Sequence, residues 1–232
     1  MSPDHPLDRP AWSALTTTQK SLALGSAQAV RLRPEMGVFV AAADVSAPSL
    51  AAMGELIGRY PGAGLFEQEG SELDGRFPAG VEVVNRVVCI QMTAEVLAAR
   101  GVRGDPAITP LDEADARDMS ELAGLTRPGP YRAATHRLGD FIGIREGGVL
   151  IAMAGQRLRL DGFTEISAVC THPDHRGRGL ARTLMQVQAE RILSAGAVPF
   201  LHAAESNPAA IGLYETLGFR ARERIAYVVT AD

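Results

Sequence analysis

Three features of this 232-residue chain predict an α/β fold. Strand-like and helix-like stretches alternate from about residue 106 onward. One strand-to-helix junction in that half, THPDHRGRG, is built from glycine and arginine. The longest apolar runs, such as 37–43 and 149–154, suit buried strands and are far too short to span a bilayer. With 46% apolar and 22% charged residues, the composition excludes wholesale disorder, collagen and coiled coil.

Charge and cysteine usage narrow the function classes. A net charge of −4 gives no electrostatic reason to bind nucleic acid or anionic membrane. The opening MSPDHPLDRP lacks the basic and apolar regions of a signal peptide. Cys89 and Cys170 lie inside apolar runs without metal-type spacing, so they read as reduced, buried residues. The expected location is the cytoplasm.

The stretch GVRGDPA at 101–107 interrupts periodic sequence and suggests a division into 1–105 and 106–232. In the first part, Gly37–Asp44 reads as a strand. Leu50, Met53 and Ile57 recur at helical spacing over 49–59, and Pro61 follows. Strands are expected at 64–67 and 81–92, with no clean period in the first 30 residues. This part is α+β and carries no evident chemistry.

In the second part, a strand at 107–111 leads to Asp112, which caps a helix to about Leu125. The loop TRPGPYRAATHRLG precedes a strand at 141–145, and Glu146-Gly147-Gly148 turns the chain into 149–160. A turn at Asp161-Gly162 leads to a strand at 164–171. A helix follows from 179 to about 194, with Leu180, Leu184 and Val187 on one face. A strand at 197–204, a helix at 207–217 and a strand at 224–230 complete the chain.

The segment Thr164–Arg182 carries the chemistry. Gly177 and Gly179 permit close backbone approach, and the following helix start offers unpaired N–H groups and a positive dipole end. Arg176, Arg178 and Arg182 add charge suited to a pyrophosphate or ribose phosphate. No Gly-Lys-Ser/Thr follows, and G-x-G-x-x-G is absent, so neither a Walker loop nor a dinucleotide fingerprint is present. A surface turn with incidental arginines is the alternative for the loop alone.

The flanking motifs decide between these readings. Arg176-Gly177-Arg178-Gly179-Leu180-Ala181, the preceding Val169-Cys170-Thr171-His172-Pro173 and the downstream ESNPAAIGLYETLGF together resemble the GNAT superfamily of acyl-CoA-dependent N-acetyltransferases. The resemblance covers about 106–232. The PFLHAAESN strand and the extra N-terminal part are similar to the glycine N-acyltransferase-like branch. The resemblance implies a mixed central sheet splayed between its fourth and fifth strands, with acetyl-CoA in the gap. It implies pantetheine on the backbone of Val169, Cys170 and Thr171, and pyrophosphate on residues 177–182. The N-terminal part is then a candidate degenerate copy of the same fold. An extended, amide-containing ligand added to an exposed strand edge agrees with that arrangement.

Acetyl transfer to an amine requires a base, an oxyanion stabiliser and a proton for the departing thiolate. Asn207 and Tyr214 are seven residues apart and share a helix face. Asn207 before Pro208 is a good helix cap, and the family pattern also gives it cofactor contact. Tyr214 is either a packed aromatic or, by its motif register, the proton donor and a cofactor contact. Glu165, eleven positions before Arg176, holds the register of the family's strand glutamate, and burial is expected to raise its pKa. His202, five before Asn207, is the second candidate base, against a bland reading as a hydrogen-bonded core histidine. The two also fit a water-mediated pair. His172, Asp174 and His175 flank a proline in the loop assigned to phosphate, and no distant cluster completes a site with them, so no metal is expected. Cys170 has no adjacent base to make it an acyl-carrying nucleophile. Arg127, Tyr131 and His136 are acceptor-pocket candidates by their place in a loop.

The reading is an acyl-CoA-dependent N-acetyltransferase. It moves acetyl, or another short acyl group, directly to a primary amine of a small molecule or peptide. Its rivals are a non-catalytic acyl-CoA sensor and an interaction module centred on the N-terminal part.

Overall fold

The computed structural model describes residues 5–99 and 106–231. The proposed boundary between residues 105 and 106 therefore falls at the edge of the described residues. The N-terminal part contains α1 (Pro10–Thr16), β1 (Ala23–Gly25), β2 (Ala29–Leu32), β3 (Phe39–Ala42), α2 (Ala47–Arg59), β4 (Gly64–Gln68) and β5 (Val83–Thr93). There follow β6 (Ile108–Leu111), α3 (Ala116–Thr126), β7 (Phe141–Glu146), β8 (Val149–Leu160) and β9 (Phe163–Thr171). The chain ends with α4 (Leu180–Ser194), β10 (Val198–Ala204), α5 (Pro208–Leu217) and β11 (Arg220–Thr230). The stretch without a clean period holds α1, β1 and β2. Their short lengths leave too few turns or alternations for a pattern to register.

All strands join one sheet in the order β1-β2-β3-β4-β11-β5-β10-β9-β8-β7-β6. Both faces are covered, which explains strands such as β3 that are buried at every position. Successive side chains point to opposite faces. Val40 and Ala42 accordingly pack under α2, while Phe39 and Ala41 join Ala11, Ala14 and Leu15 of α1. On β8, Met153 meets Met119 and Leu122 of α3, while Ala152 and Ala154 meet Leu180 and Leu184 of α4.

Two features of the sheet place the site. First, β9 and β10 run parallel and pair only from Val198↔Phe163 to Phe200↔Glu165. Beyond Glu165 they diverge, leaving one edge of Ile166–Thr171 without a neighbouring strand, as the resemblance implied. Second, the last strands of the two parts are exchanged. β5 lies antiparallel to β10, and β11 lies antiparallel to β4. β5 and β11 also pair with each other.

The N-terminal part contains a second parallel pair, β3 and β4, joined by α2 and paired only at Phe39↔Gly64 and Val40↔Leu65. Here the divergence is sealed. Arg9 donates to the carbonyls of Ala42 and Ala43 on one side and to both carboxylate oxygens of Glu67 on the other. Glu67 is 1% exposed, so this guanidinium is its charge partner in a dry setting. Arg9→Ala should lower the unfolding free energy by about 3 kcal/mol or more, because it strands a buried carboxylate. Urea denaturation checks this; a shift within a few tenths of a kcal/mol would show that the seal carries no stability.

Candidate active site

The junction between β9 and α4 forms the first half of the site. Gly177 and Gly179 adopt φ of 76° and 78°, and a Cβ at either would meet nothing within 4 Å, so these glycines face open space. Positive φ there favours glycine, and an added side chain would project into the cavity. α4 begins without a side-chain cap, and the N–H of Thr183 is the first to find an intrahelical partner, Gly179. The N–H groups of Leu180, Ala181 and Arg182 are thus at the free end of a 15-residue helix. They line a cavity of about 550 Å³ together with Val169, Cys170, Thr171, Arg176, Gly177, Arg178 and Gly179. Arg178 is held by Glu146 at 2.7 Å and Arg182 by Thr216 at 2.6 Å. The donors and charge fit a pyrophosphate.

A second cavity, of about 240 Å³, lies deeper in the divergence, and Val169 and Pro128 line both. Between the two, β9 carries a bulge. Cys170 pairs with Met153 and Ser167 with Gly155, so Ala168 and Val169 oppose the single Ala154. Ala168 is held at φ 52°, a left-handed conformation unusual for alanine. Strain of this kind costs on the order of 1–3 kcal/mol and concentrates at ligand sites.

A second bulge builds the charged centre. Between Gln156↔Ile166 and Arg159↔Thr164, the residues Arg157 and Leu158 of β8 both face Glu165. Arg157 grips the carboxylate with two bonds, of 2.8 Å and 2.6 Å. The N–H of Leu158 adds a third at 3.3 Å, and His202 Nδ1 a fourth at 2.7 Å. Glu165 is fully buried, yet its pKa falls to about 2 because the adjacent Arg157 and the hydrogen bonds from Arg157 and His202 outweigh desolvation. This corrects the expectation that burial would raise it. The carboxylate stays ionised and saturated with donors.

His202 is neutral, since burial lowers its pKa against the raising effect of Glu165. With Nδ1–H donating to Glu165, Nε2 accepts from the amide of Gln91 at 3.1 Å. Gln91 is itself fixed. Its amide also donates to Leu7 O at 2.8 Å, and its carbonyl accepts from Arg222, which pairs with Asp8.

Glu165, His202 and Tyr214 all line the 240 Å³ cavity. The Tyr214 hydroxyl has no hydrogen bond among the described residues, and burial raises its pKa. Asn207 accepts from the N–H of Ala210 at 3.1 Å as the cap of α5 and lines neither cavity, so the structure supports its capping role.

The three loop candidates do not reach the cavity either. Arg127 ends α3 at φ 50°, Tyr131 packs edge-on against Phe141, and His136 bonds Glu113 at 3.0 Å. The loop contributes Pro128, Gly129 and Pro130 instead. Burial pushes both thiols, Cys89 and Cys170, up to about 11, which removes them as nucleophiles at neutral pH.

Residues 141–228 match the family model described as FR47-like protein. The N-alpha-acetyltransferase RimI of Mycobacterium tuberculosis is 32% identical over 121 residues, 47% of this chain and 75% of that one. The structure of a GNAT-family protein from Novosphingobium aromaticivorans superposes with a TM-score of 0.86 at 38% identity, covering 99% of each chain. The chain belongs to the GNAT family of acetyltransferases. A GCN5-related N-acetyltransferase from Kribbella flavida shares the fold, with a TM-score of 0.63 at 19% identity over 97% of this chain and 95% of that one. None of these three carries the glycine N-acyltransferase name. Enzymes of the GNAT family use acetyl-CoA as co-substrate, and the cavity at the start of α4 fits its phosphates.

Two outcomes follow from this geometry. Gly179→Glu should abolish acetyl-CoA binding in a folded protein, because it puts a bulky anion in the cradle at a strained φ. Calorimetry with unchanged affinity would overturn the cradle. The second concerns acid. A carboxylate whose folded pKa lies below its ordinary 4.5 adds stability above that value, and this is lost as pH falls through about 2. Urea midpoints should therefore drop between pH 5 and 2, and Glu165→Gln should flatten that slope while lowering stability at neutral pH.

Proposed function

We propose that this GNAT acetyltransferase moves acetyl directly from acetyl-CoA to a primary amine held beside His202. The observation that carries this reading is that the two cavities adjoin at the β9 bulge, where Val169 and Pro128 line both. A phosphate-type cradle opens at one end, and His202, Glu165 and Tyr214 stand at the other. Bound acetyl-CoA supplies an activated thioester, whose carbonyl carbon bonds to the amine nitrogen as the C–S bond breaks. The RimI relative, named an N-alpha-acetyltransferase, supports a primary amine as the acceptor class.

His202 takes the amine proton. Its Nε2 lone pair is held only by the neutral Gln91 amide, which the incoming amine displaces, whereas every acceptor site on Glu165 is filled. Glu165 stabilises the imidazolium that forms, through the bond to Nδ1–H. Ala168 and Val169, outside the ladder with β8, line the cavity, and their backbone N–H groups are the candidates to steady the charge that the thioester oxygen gains. Tyr214 donates its phenolic proton to the departing sulfur and regains one from solvent. Two raised thiol pKa values argue against a covalent acyl-cysteine.

The division at 105/106 enters here as a proposal too, with 106–232 as the catalytic part and 1–105 as a degenerate copy. The parallel pair around α2, with its own divergence, supports it. Between β3 and α2 the N-terminal part has the short Ala43–Ser46, which lacks glycine and arginine.

His202→Gln should lower kcat by roughly 10²–10⁴ at pH 7, with partial recovery at high pH as free amine accumulates. Tyr214→Phe should lower kcat by a similar order without recovery at high pH and with acetyl-CoA affinity retained. Thiol-release kinetics across pH, under conditions where chemistry limits, checks both. Full turnover of Tyr214→Phe removes the donor assignment. A silent His202→Gln returns the base role to Glu165.

A further inference from the structure

The far wall of the 240 Å³ cavity comes mostly from the N-terminal part and is aromatic. Phe39 of β3 and Phe66 of β4 stack at 5.4 Å between ring centroids, and Tyr227 of β11 meets Phe66 edge-on at 5.4 Å. The Phe66 ring packs 4.3 Å from the His202 ring, so an amine placed beside His202 lies next to this wall. Val87 and Cys89 of β5 close one side.

The charge on these walls is balanced. Among the described residues Glu165 is the only acidic one lining the cavity, and Arg157, His202 and the Leu158 N–H fill its acceptor sites. Burial keeps the Tyr227 phenol and the Cys89 thiol protonated at neutral pH. A second ammonium group on the acceptor would enter without a counter-charge, at a desolvation cost of several kcal/mol. The size is limiting as well, since about 240 Å³ falls short of the ~300–1,000 Å³ usual for drug-sized ligands. One polar handle remains. The Nη1 of Arg157 has no hydrogen bond among the described residues, while the guanidinium lies 4.8 Å from the Phe39 ring centroid.

We propose that the acceptor is a compact primary amine bearing one aromatic ring and no second positive charge, its ring seated on Phe39, Phe66 and Tyr227. This rests on the acetyl-transfer reading above and extends it to the substrate class. Phe39, Phe66 and Val87 precede the residues matched by the family model and Tyr227 lies within them, so most of the selecting surface is supplied by the added N-terminal part.

The test uses the full chain, acetyl-CoA and thiol-release detection. The acceptor panel holds 2-phenylethylamine, phenylalanine, butylamine, spermidine and an alanine-starting hexapeptide. Either aromatic amine should exceed spermidine and the peptide in kcat/KM by tenfold or more. Val87→Phe, which fills the slot, should raise KM for the aromatic amine at least tenfold. It should raise the KM of butylamine by a smaller factor and leave acetyl-CoA affinity within about twofold. If Val87→Phe does not fold, Phe39→Leu should raise the aromatic KM with the same selectivity.

Turnover with spermidine or the peptide ranked first overturns the inference and leaves acetyl transfer standing. A preference for benzoyl-CoA over acetyl-CoA that Val87→Phe removes would make the slot an acyl pocket, which also overturns it. No turnover on any amine, with acetyl-CoA bound, overturns the transfer reading itself and this inference with it.

Discussion

One buried carboxylate organises the candidate site of this molecule. Glu165 stands at the last paired position between β9 and β10, where the sheet begins to open. An isolated charge at zero exposure would be prohibitive, so every neighbouring element is arranged to compensate it. The β8 bulge turns Arg157 onto it, β10 brings His202, and the Leu158 N–H fills the remaining site. Replacing such a cluster with apolar residues is often neutral for stability. Its presence is therefore better explained by what it does for His202, whose tautomer and charge state it fixes.

That fixation extends to the start of the chain. Gln91 joins His202 to the Leu7 carbonyl and, through Arg222, to Asp8. The exchange of β5 and β11 makes this possible, because β5 delivers Gln91 next to β10 with the register His202↔Gln91. Each part therefore completes its sheet with the other's final strand. A fragment comprising only 106–232 would lose β5 from beside β10, Gln91 from beside His202, and Phe39 and Phe66 from the aromatic wall. The N-terminal part is structurally inseparable from the candidate site.

Much of this was legible in the sequence, for reasons of range. The Gly177-Arg178-Gly179 turn, the Asn207-Pro208 helix start and the apolar period of α4 are local signals, and each appears within a residue or two of its expected place. Glu165 and His202 were legible only through motif register, and their contact, 37 residues apart, emerges from the parallel pairing. Arg157 and Gln91 were not singled out. Arg157 sits in the apolar run of β8, and asking what balances a buried Glu165 was the one signal that pointed to it. Gln91 has no such signal, since its partners lie 84, 111 and 131 residues away. The Ala168 bulge was invisible for a different reason: alanine is the wrong residue for a left-handed position, and only the mismatch of two strands reveals it.

The two divergences in the sheet use the same backbone for opposite ends. Both lie at the end of a short parallel pairing, and both hold a glutamate and an arginine. Arg9 reaches across its gap to carbonyls on one wall and Glu67 on the other, so the guanidinium takes the place a ligand would need. Arg157 instead approaches Glu165 from the neighbouring strand β8 and leaves the space between β9 and β10 clear. The direction from which the arginine arrives thus decides whether the opening is filled by the protein itself or kept for a ligand. That difference, together with the glycines before α4, distinguishes the opening beside Glu165 from the sealed one beside Glu67.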